Sequence, residues 1–318
     1  MRTAVGLIVF HRPEQTERVL AEIARARPPR LLVAADAPRD EVPGEADACM
    51  AVREIIDRVD WPCEVVTDYA DRHLGCGLRE SSAMDWFFER EEEIVILEDD
   101  TLPSQGFFRY CEELLDRYRD DERVMAIGGN NLFRGRQVSP YSYFFSRYLQ
   151  SWGWASWRRA WRYYDYEIKL WPSLRETEWL KTVIEDQRAI AYWRDIFDRI
   201  DRHDTWDYQF LFACWAQHGL AIVPAVNLVS NIGYGVKAAH TTRANDPLAN
   251  IPAVEMPFPL QHPPFMVRNV EADALTDRES FLRPGPESNA YVRLRRKLAR
   301  MLSASRLSPA VGTESRHG

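Results

Sequence analysis

Between residues 3 and 99 the chain repeats one alternation: a short apolar run, then a charged stretch with helical spacing. The runs TAVGLIVF (3–10), RLLVAAD (30–36), CEVVT (63–67) and EIVILED (93–99) have the length and Val/Ile/Leu content of buried strands. Between them, 14–26, 46–58 and 78–91 carry apolar residues at helical spacing. In the first of these, Val19, Leu20 and Ile23 share one helical face, and Pro13 sits near the opening turn. Strands that alternate with helices are joined by crossovers, and crossovers make neighbouring strands parallel. The pattern predicts an α/β fold of Rossmann-like type, with a mixed, mainly parallel sheet flanked by helices. Ligands of such sheets bind at the carboxyl ends of the strands, where His11, Asp36, Asp68 and the triplet Glu98-Asp99-Asp100 all fall.

The triplet poses an electrostatic problem. Adjacent carboxylates repel, and burying one without a partner is costly, so an acidic cluster at a strand end needs either solvent or a cation. A hard divalent ion such as Mg2+ or Mn2+ prefers oxygen ligands and bridges readily to phosphates. The alternative is a solvated turn in which Asp99 or Asp100 caps the following helix. That helix is predicted after Ser104, a good N-cap residue, from the spacing of Phe107, Phe108, Cys111, Leu114, Leu115 and Tyr118. Further on, 124–131 reads as a strand entering a Gly/Asn loop, and 141–171 is dense in aromatics. Residues 176–202 have helical period, 205–219 reads as a buried helix stopped by Gly219, and 220–233 supplies one or two strands.

Composition narrows the function classes. With 318 residues, 46% of them apolar, the chain can bury one large core or two small ones. A net charge of −7 argues against nucleic-acid binding but leaves room for a small anion received by a metal or by local basic groups. Five cysteines without C-x-x-C spacing speak against a structural zinc site and fit a reducing compartment. The opening apolar run is too short for a signal peptide or a membrane span, so the expected location is cytoplasmic. From residue 284 the composition changes, with seven basic residues against two acidic. Within this tail, 291–302 is a cationic amphipathic helix candidate. An anionic membrane surface, the domain itself or a partner chain would each accept it. Nothing in the sequence sets an oligomeric state.

The run VILEDDTLPS (95–104) with the helix after it resembles the strand, D-x-D-type motif and following helix of A-fold (GT-A) glycosyltransferases of the family 2 kind. The nearest likeness is to bacterial hemolytic-protein-like sugar transferases, akin to N-acetylglucosaminyltransferase I. The segments HRPEQTERVLAEI, AADAPRD, RHLGCGLRESSAMDWFF, GGNN, SWGWASWRRAW, TWDYQFLFACWAQHG, NLVSNIGYG and HPP continue it in order over most of 1–275. The resemblance implies a GT-A domain over 1–283, with a nucleotide-sugar half (1–130) and an acceptor half (131–283), ahead of the tail 284–318. It implies a nucleotide diphosphate sugar as donor and a glycan, lipid-linked or small hydroxyl acceptor.

Residue by residue, the resemblance makes Asp100 the direct metal ligand and lets Glu98 and Asp99 orient ribose or metal-bound water. It sets Asp36 against the donor nucleoside and makes His240 a further metal ligand, with His218 and His262 as alternatives; Arg12, and Gly75 in the glycine loop 73–77, are further donor-binding candidates. An imidazole ligand favours manganese over magnesium. A sugar hydroxyl needs a general base in an inverting displacement, and Asp207 takes that part, with Asp204 as competitor. Lys237 and Ala238 depart from the family's usual loop before His240. Trp152, Trp154 and Trp157 would offer a sugar platform, although at least two of the three are expected in the core. Two other classes fit parts of the pattern: a catalytically silent nucleotide-sugar binding protein, and a two-carboxylate glycoside hydrolase using Asp100 and Asp207.

Overall fold

The computed structural model describes residues 1–234 and 248–282. In chain order the elements are β1 (Ala4–Val9), α1 (Pro13–Ala26), β2 (Arg30–Ala35), α2 (Glu45–Ile56), β3 (Glu64–Tyr69), α3 (Cys76–Arg90), β4 (Glu93–Glu98) and β5 (Thr101–Pro103). There follow α4 (Gln105–Tyr118), β6 (Val124–Gly128), β7 (Tyr143–Ser146), β8 (Trp154–Trp157) and the short helices α5 (Arg158–Trp161), α6 (Trp171–Arg175) and α7 (Leu180–Val183). Last come α8 (Gln187–Asp198), α9 (Asp207–Ala216), β9 (Leu220–Pro224), β10 (Val229–Asn231) and α10 (Val270–Thr276).

Eight strands form one sheet in the order β3-β2-β1-β4-β8-β6-β9-β7, and β5 pairs with β10 in a small second sheet. The first four strands are mutually parallel; β8 and β7 run against their neighbours, while β6 and β9 are parallel. The mainly parallel α/β architecture expected from the alternation is present. β8, from the later part of the chain, lies between β4 and β6, so the sheet is continuous across residue 130.

Helices cover both faces. On one, Val5, Leu7 and Val9 of β1 pack with Val19, Leu20 and Ile23 of α1, Val52 and Ile56 of α2, and the apolar stripe of α4. On the other, Ala4 and Ile8 meet Met84, Phe87 and Phe88 of α3, Trp161 of α5, and Phe210 and Cys214 of α9. Burial on both faces explains why these strands read as continuous apolar runs rather than alternating ones. The helical region 171–215 adds a third, aromatic cluster around Trp171, Trp193, Phe197 and Trp215.

Candidate active site

The acidic triplet ends β4. Glu98 pairs in register with Ile8 of β1, after which the chain turns at Asp99-Asp100 into β5. The turn is fastened from inside: the Glu98 amide donates to Oγ1 of the fully buried Thr101 at 2.8 Å, and the Ile232 amide donates to the Asp100 carbonyl at 2.8 Å. Neither aspartate caps the next helix, because β5 intervenes. Ser104 holds the N-cap position of α4, yet among the described residues its hydroxyl has no hydrogen-bond partner. The carboxylate of Glu255 accepts from the Gln105 amide at 3.2 Å and the Gly106 amide at 2.8 Å, so an ionised acceptor from a distant loop replaces the expected side-chain cap.

The cation that the triplet demands includes a protein side chain. Arg12, the residue before α1, directs Nη1 between Asp99 Oδ1 at 3.0 Å and Asp100 Oδ2 at 2.5 Å, and the Phe10 amide donates to Asp99 Oδ2 at 3.1 Å. One guanidinium does not balance the site. Burial pushes Asp99 up to about 6 although Arg12 pulls the other way; burial, reinforced by Glu80 and the two aspartates, pushes Glu98 well above its ordinary value. Glu80 enters from α3. Burial raises it to about 8, with the charges of Asp207 and Asp100 adding to the rise, although the Cys76 thiol donates to its Oε1 at 3.0 Å.

Two further acidic residues serve the loop before α3. Asp36, buried at the end of β2, accepts from the amides of Ala37 and Leu74, both at 2.9 Å, and Gly75 at 3.0 Å, and lies 2.9 Å from His73 Nδ1. Gly75 has φ +85°, in the left-handed region that favours glycine. Asp204 reaches across to accept from the Cys76 amide at 3.2 Å and the Gly77 amide at 2.7 Å, occupying the N-terminus of α3. Asp204 is thereby committed as a cap. Asp207 opens α9, and its Oδ1 accepts from the Tyr208 amide at 2.9 Å and from the Thr205 hydroxyl.

A cavity of about 740 Å³ joins these parts: Arg12, Asp36, Gly75, Glu98, Asp99, Asp100 and Asp207 all line it. Thus Arg12, Asp36, Gly75, the acidic triplet, Asp207 and its competitor Asp204 border one space. Its wall also includes Phe10 stacked on His73 with ring centroids 5.4 Å apart, the Arg39 guanidinium 5.9 Å from the Phe10 ring, and Trp152 edge-on to Tyr234 at 5.8 Å. The Arg39 hydrogen bonds hold Glu45, at the start of α2, down to about 2. Trp154 and Trp157 are core residues, leaving Trp152 alone of the three at the cavity.

His240 lies outside the described residues. Its two alternatives stand away from the cavity. His218 is exposed beyond the end of α9, and His262 lies between Glu113 Oε1 at 3.2 Å and the Tyr143 hydroxyl at 3.0 Å. Asp68 pairs with Arg79 at 2.7 Å. Among the described residues no group of three or more His, Cys, Asp and Glu side chains is arranged to hold a metal ion.

Phe10, Arg39, His73 and Glu80 were missed by sequence reasoning. Glu80 carried a readable signal: it sits three, four, seven and eight positions before Ala83, Met84, Phe87 and Phe88, a lone carboxylate on the buried stripe of α3. Phe10, Arg39 and His73 lie in loops whose meeting only the fold determines.

No family model matches the chain, and no curated protein does. Solved structures with partial similarity include mouse xyloside xylosyltransferase 1 in its apo form, at 11% identity and TM-score 0.35, covering 67% of this chain and 81% of that one. An active-site mutant of LgtC matches at 11% identity and TM-score 0.34, covering 55% of this chain and 65% of that one. HddC from Yersinia pseudotuberculosis matches at 10% and 0.32, over 50% and 78%. No helix among the described residues is long and apolar enough to cross a membrane.

Proposed function

We propose that this protein is a metal-assisted glycosyltransferase that moves a sugar from a nucleoside diphosphate donor to a hydroxyl of a glycan, lipid-linked or small acceptor, with inversion by direct displacement. The observation that carries this reading is the confluence, around one cavity of about 740 Å³, of an over-acidic strand-end turn and a separate carboxylate at a helix start. The donor set fits a hard divalent ion. Its described members, Glu98, Asp99 and Asp100, are hard oxygen donors on one cavity, faced by the single guanidinium of Arg12. Asp100 would hold the ion, with His240 as an expected second ligand that favours Mn2+ over Mg2+. When bound, the metal supplies charge neutralisation for the departing diphosphate.

The chain's own residues do the rest. Phe10 and His73, with Arg39 beside them, offer aromatic surface to a nucleobase. Asp36 fixes the 73–75 loop that closes this side of the cavity, and Trp152 offers an apolar ring face to a sugar. Asp207 accepts the proton of the acceptor hydroxyl as its oxygen attacks the anomeric carbon. The bond from that carbon to the diphosphate oxygen breaks, and the nucleoside diphosphate leaves with the electron pair. On this reading residues 1–283 are the transferase domain of a cytoplasmic protein. The basic tail 284–318 lies outside the described residues, and its charge suits contact with an anionic membrane face where a lipid-linked acceptor lies.

Calorimetry with UDP- and GDP-sugars, with and without Mn2+, on the wild type and Asp100→Ala tests the proposal. Metal-dependent donor binding lost in the variant supports it; binding that ignores both metal and mutation overturns it.

A further inference from the structure

Arg12 sits where a divalent ion would have to act. Its Nη1 bridges Asp99 and Asp100, and all three side chains are nearly buried, at 12%, 7% and 11% exposure. The backbone beneath it is fixed, since the Arg12 carbonyl accepts from both the amide and the hydroxyl of the fully buried Thr16, at 2.9 and 2.8 Å. Among the described residues the hydrogen bonds of this guanidinium all come from Nη1. Its Nε and Nη2 edge has no hydrogen-bond partner among the described residues, and a guanidinium edge matches the geometry of a phosphate.

Resting on the metal-assisted reading above, we propose that Arg12 is a resident counter-cation that makes metal and diphosphate binding mutually dependent. With no nucleotide present, the guanidinium neutralises part of the Asp99–Asp100 pair and repels an incoming divalent ion. A diphosphate entering with the ion gives the guanidinium a second anion to hold, so Arg12 changes partner and frees Asp100 for the metal. Metal binds weakly alone and tightly with the nucleotide, and by linkage the nucleotide gains from metal by the same factor. The device keeps the acidic turn partly neutralised between turnovers and discourages occupation by a metal ion without donor.

The test is Mn2+ binding followed by electron paramagnetic resonance of the free ion, on wild type, Arg12→Gln and Arg12→Lys, each without nucleotide and with saturating UDP or GDP. A unit charge about 5 Å from a divalent ion in a water-like medium changes its affinity by about tenfold. Arg12→Gln is therefore expected to bind Mn2+ alone about tenfold more tightly than wild type and to lose most of the enhancement by nucleotide. Arg12→Lys, which keeps the charge without the fork, is expected to keep the weak binding of Mn2+ alone while binding the nucleotide less tightly. If wild type binds Mn2+ equally well with and without nucleotide, or if Arg12→Gln gains no affinity for Mn2+ alone while Arg12→Lys behaves as wild type, the coupling is overturned and the metal-assisted reading survives. If wild type binds no Mn2+ in any condition, both fall.

Discussion

Replacing Glu80 by Gln removes an ionisable carboxyl from the acidic cavity and keeps an oxygen for the Cys76 thiol. In the native protein burial raises the Glu80 carboxyl from 4.5 to about 8. Between those pH values the unfolded chain has lost this proton while the folded chain retains it, so stability falls as pH rises, and above pH 8 the loss is complete. The full shift corresponds to about 5 kcal/mol, reduced to about 2–3 kcal/mol once screening by cavity water is allowed for. Glu80→Gln is therefore expected to match wild type near pH 4.5 and to exceed it by about 2–3 kcal/mol at pH 8.5. Urea unfolding in EDTA at half-unit pH steps reads this as a diverging pair of midpoints with unchanged slope. Parallel pH profiles for the two proteins would refute the raised Glu80 carboxyl.

Asp207→Asn should lower turnover by about 10²–10⁴-fold while leaving donor affinity unchanged, as checked by sugar transfer assay beside calorimetry. In Gly233→Ala the new Cβ would lie 1.9 Å from Asp100 Oδ2, so the carboxylate must move; metal-dependent donor binding should fall at least tenfold, with a stability loss of about 1–3 kcal/mol in urea unfolding. Asp204→Ala strips the α3 N-terminus of its acceptor and should cost about 1–2 kcal/mol by the same measurement.

How far the sequence reached depends on whether a feature is local. Strand-helix alternation up to residue 99 repeats within short windows, and its elements reappear within a residue or two of their predicted limits. The placement of Asp100 and Asp207 at the ends of regular elements was legible because their neighbours define those elements. Partnerships at long range were not. Arg12 was read as a donor contact, and no pattern near residue 12 announces carboxylates 87 and 88 positions later. Ser104 satisfied every local rule for a cap, but Glu255, 149 residues from Gly106, has the stronger acceptor. Asp204 and Asp207 look alike in sequence, three residues apart, and only the arrival of the α3 N-terminus beside Asp204 separates their surroundings.

The position of β8 between β4 and β6 also bears on how the protein is made. The acidic turn hangs from a strand whose outer edge is completed by Trp154–Ile96 and Trp157–Glu93 pairing, about sixty residues downstream. A ribosome adding roughly 5–20 residues per second leaves that edge open for about 3–12 s after β4 emerges. During this interval β4 is paired with β1 on one side only, and its other edge, along Ile94, Val95, Ile96 and Leu97, stays open. A fragment ending near residue 130 would keep that exposed edge indefinitely, and is expected to aggregate instead of folding as a separate nucleotide-binding half.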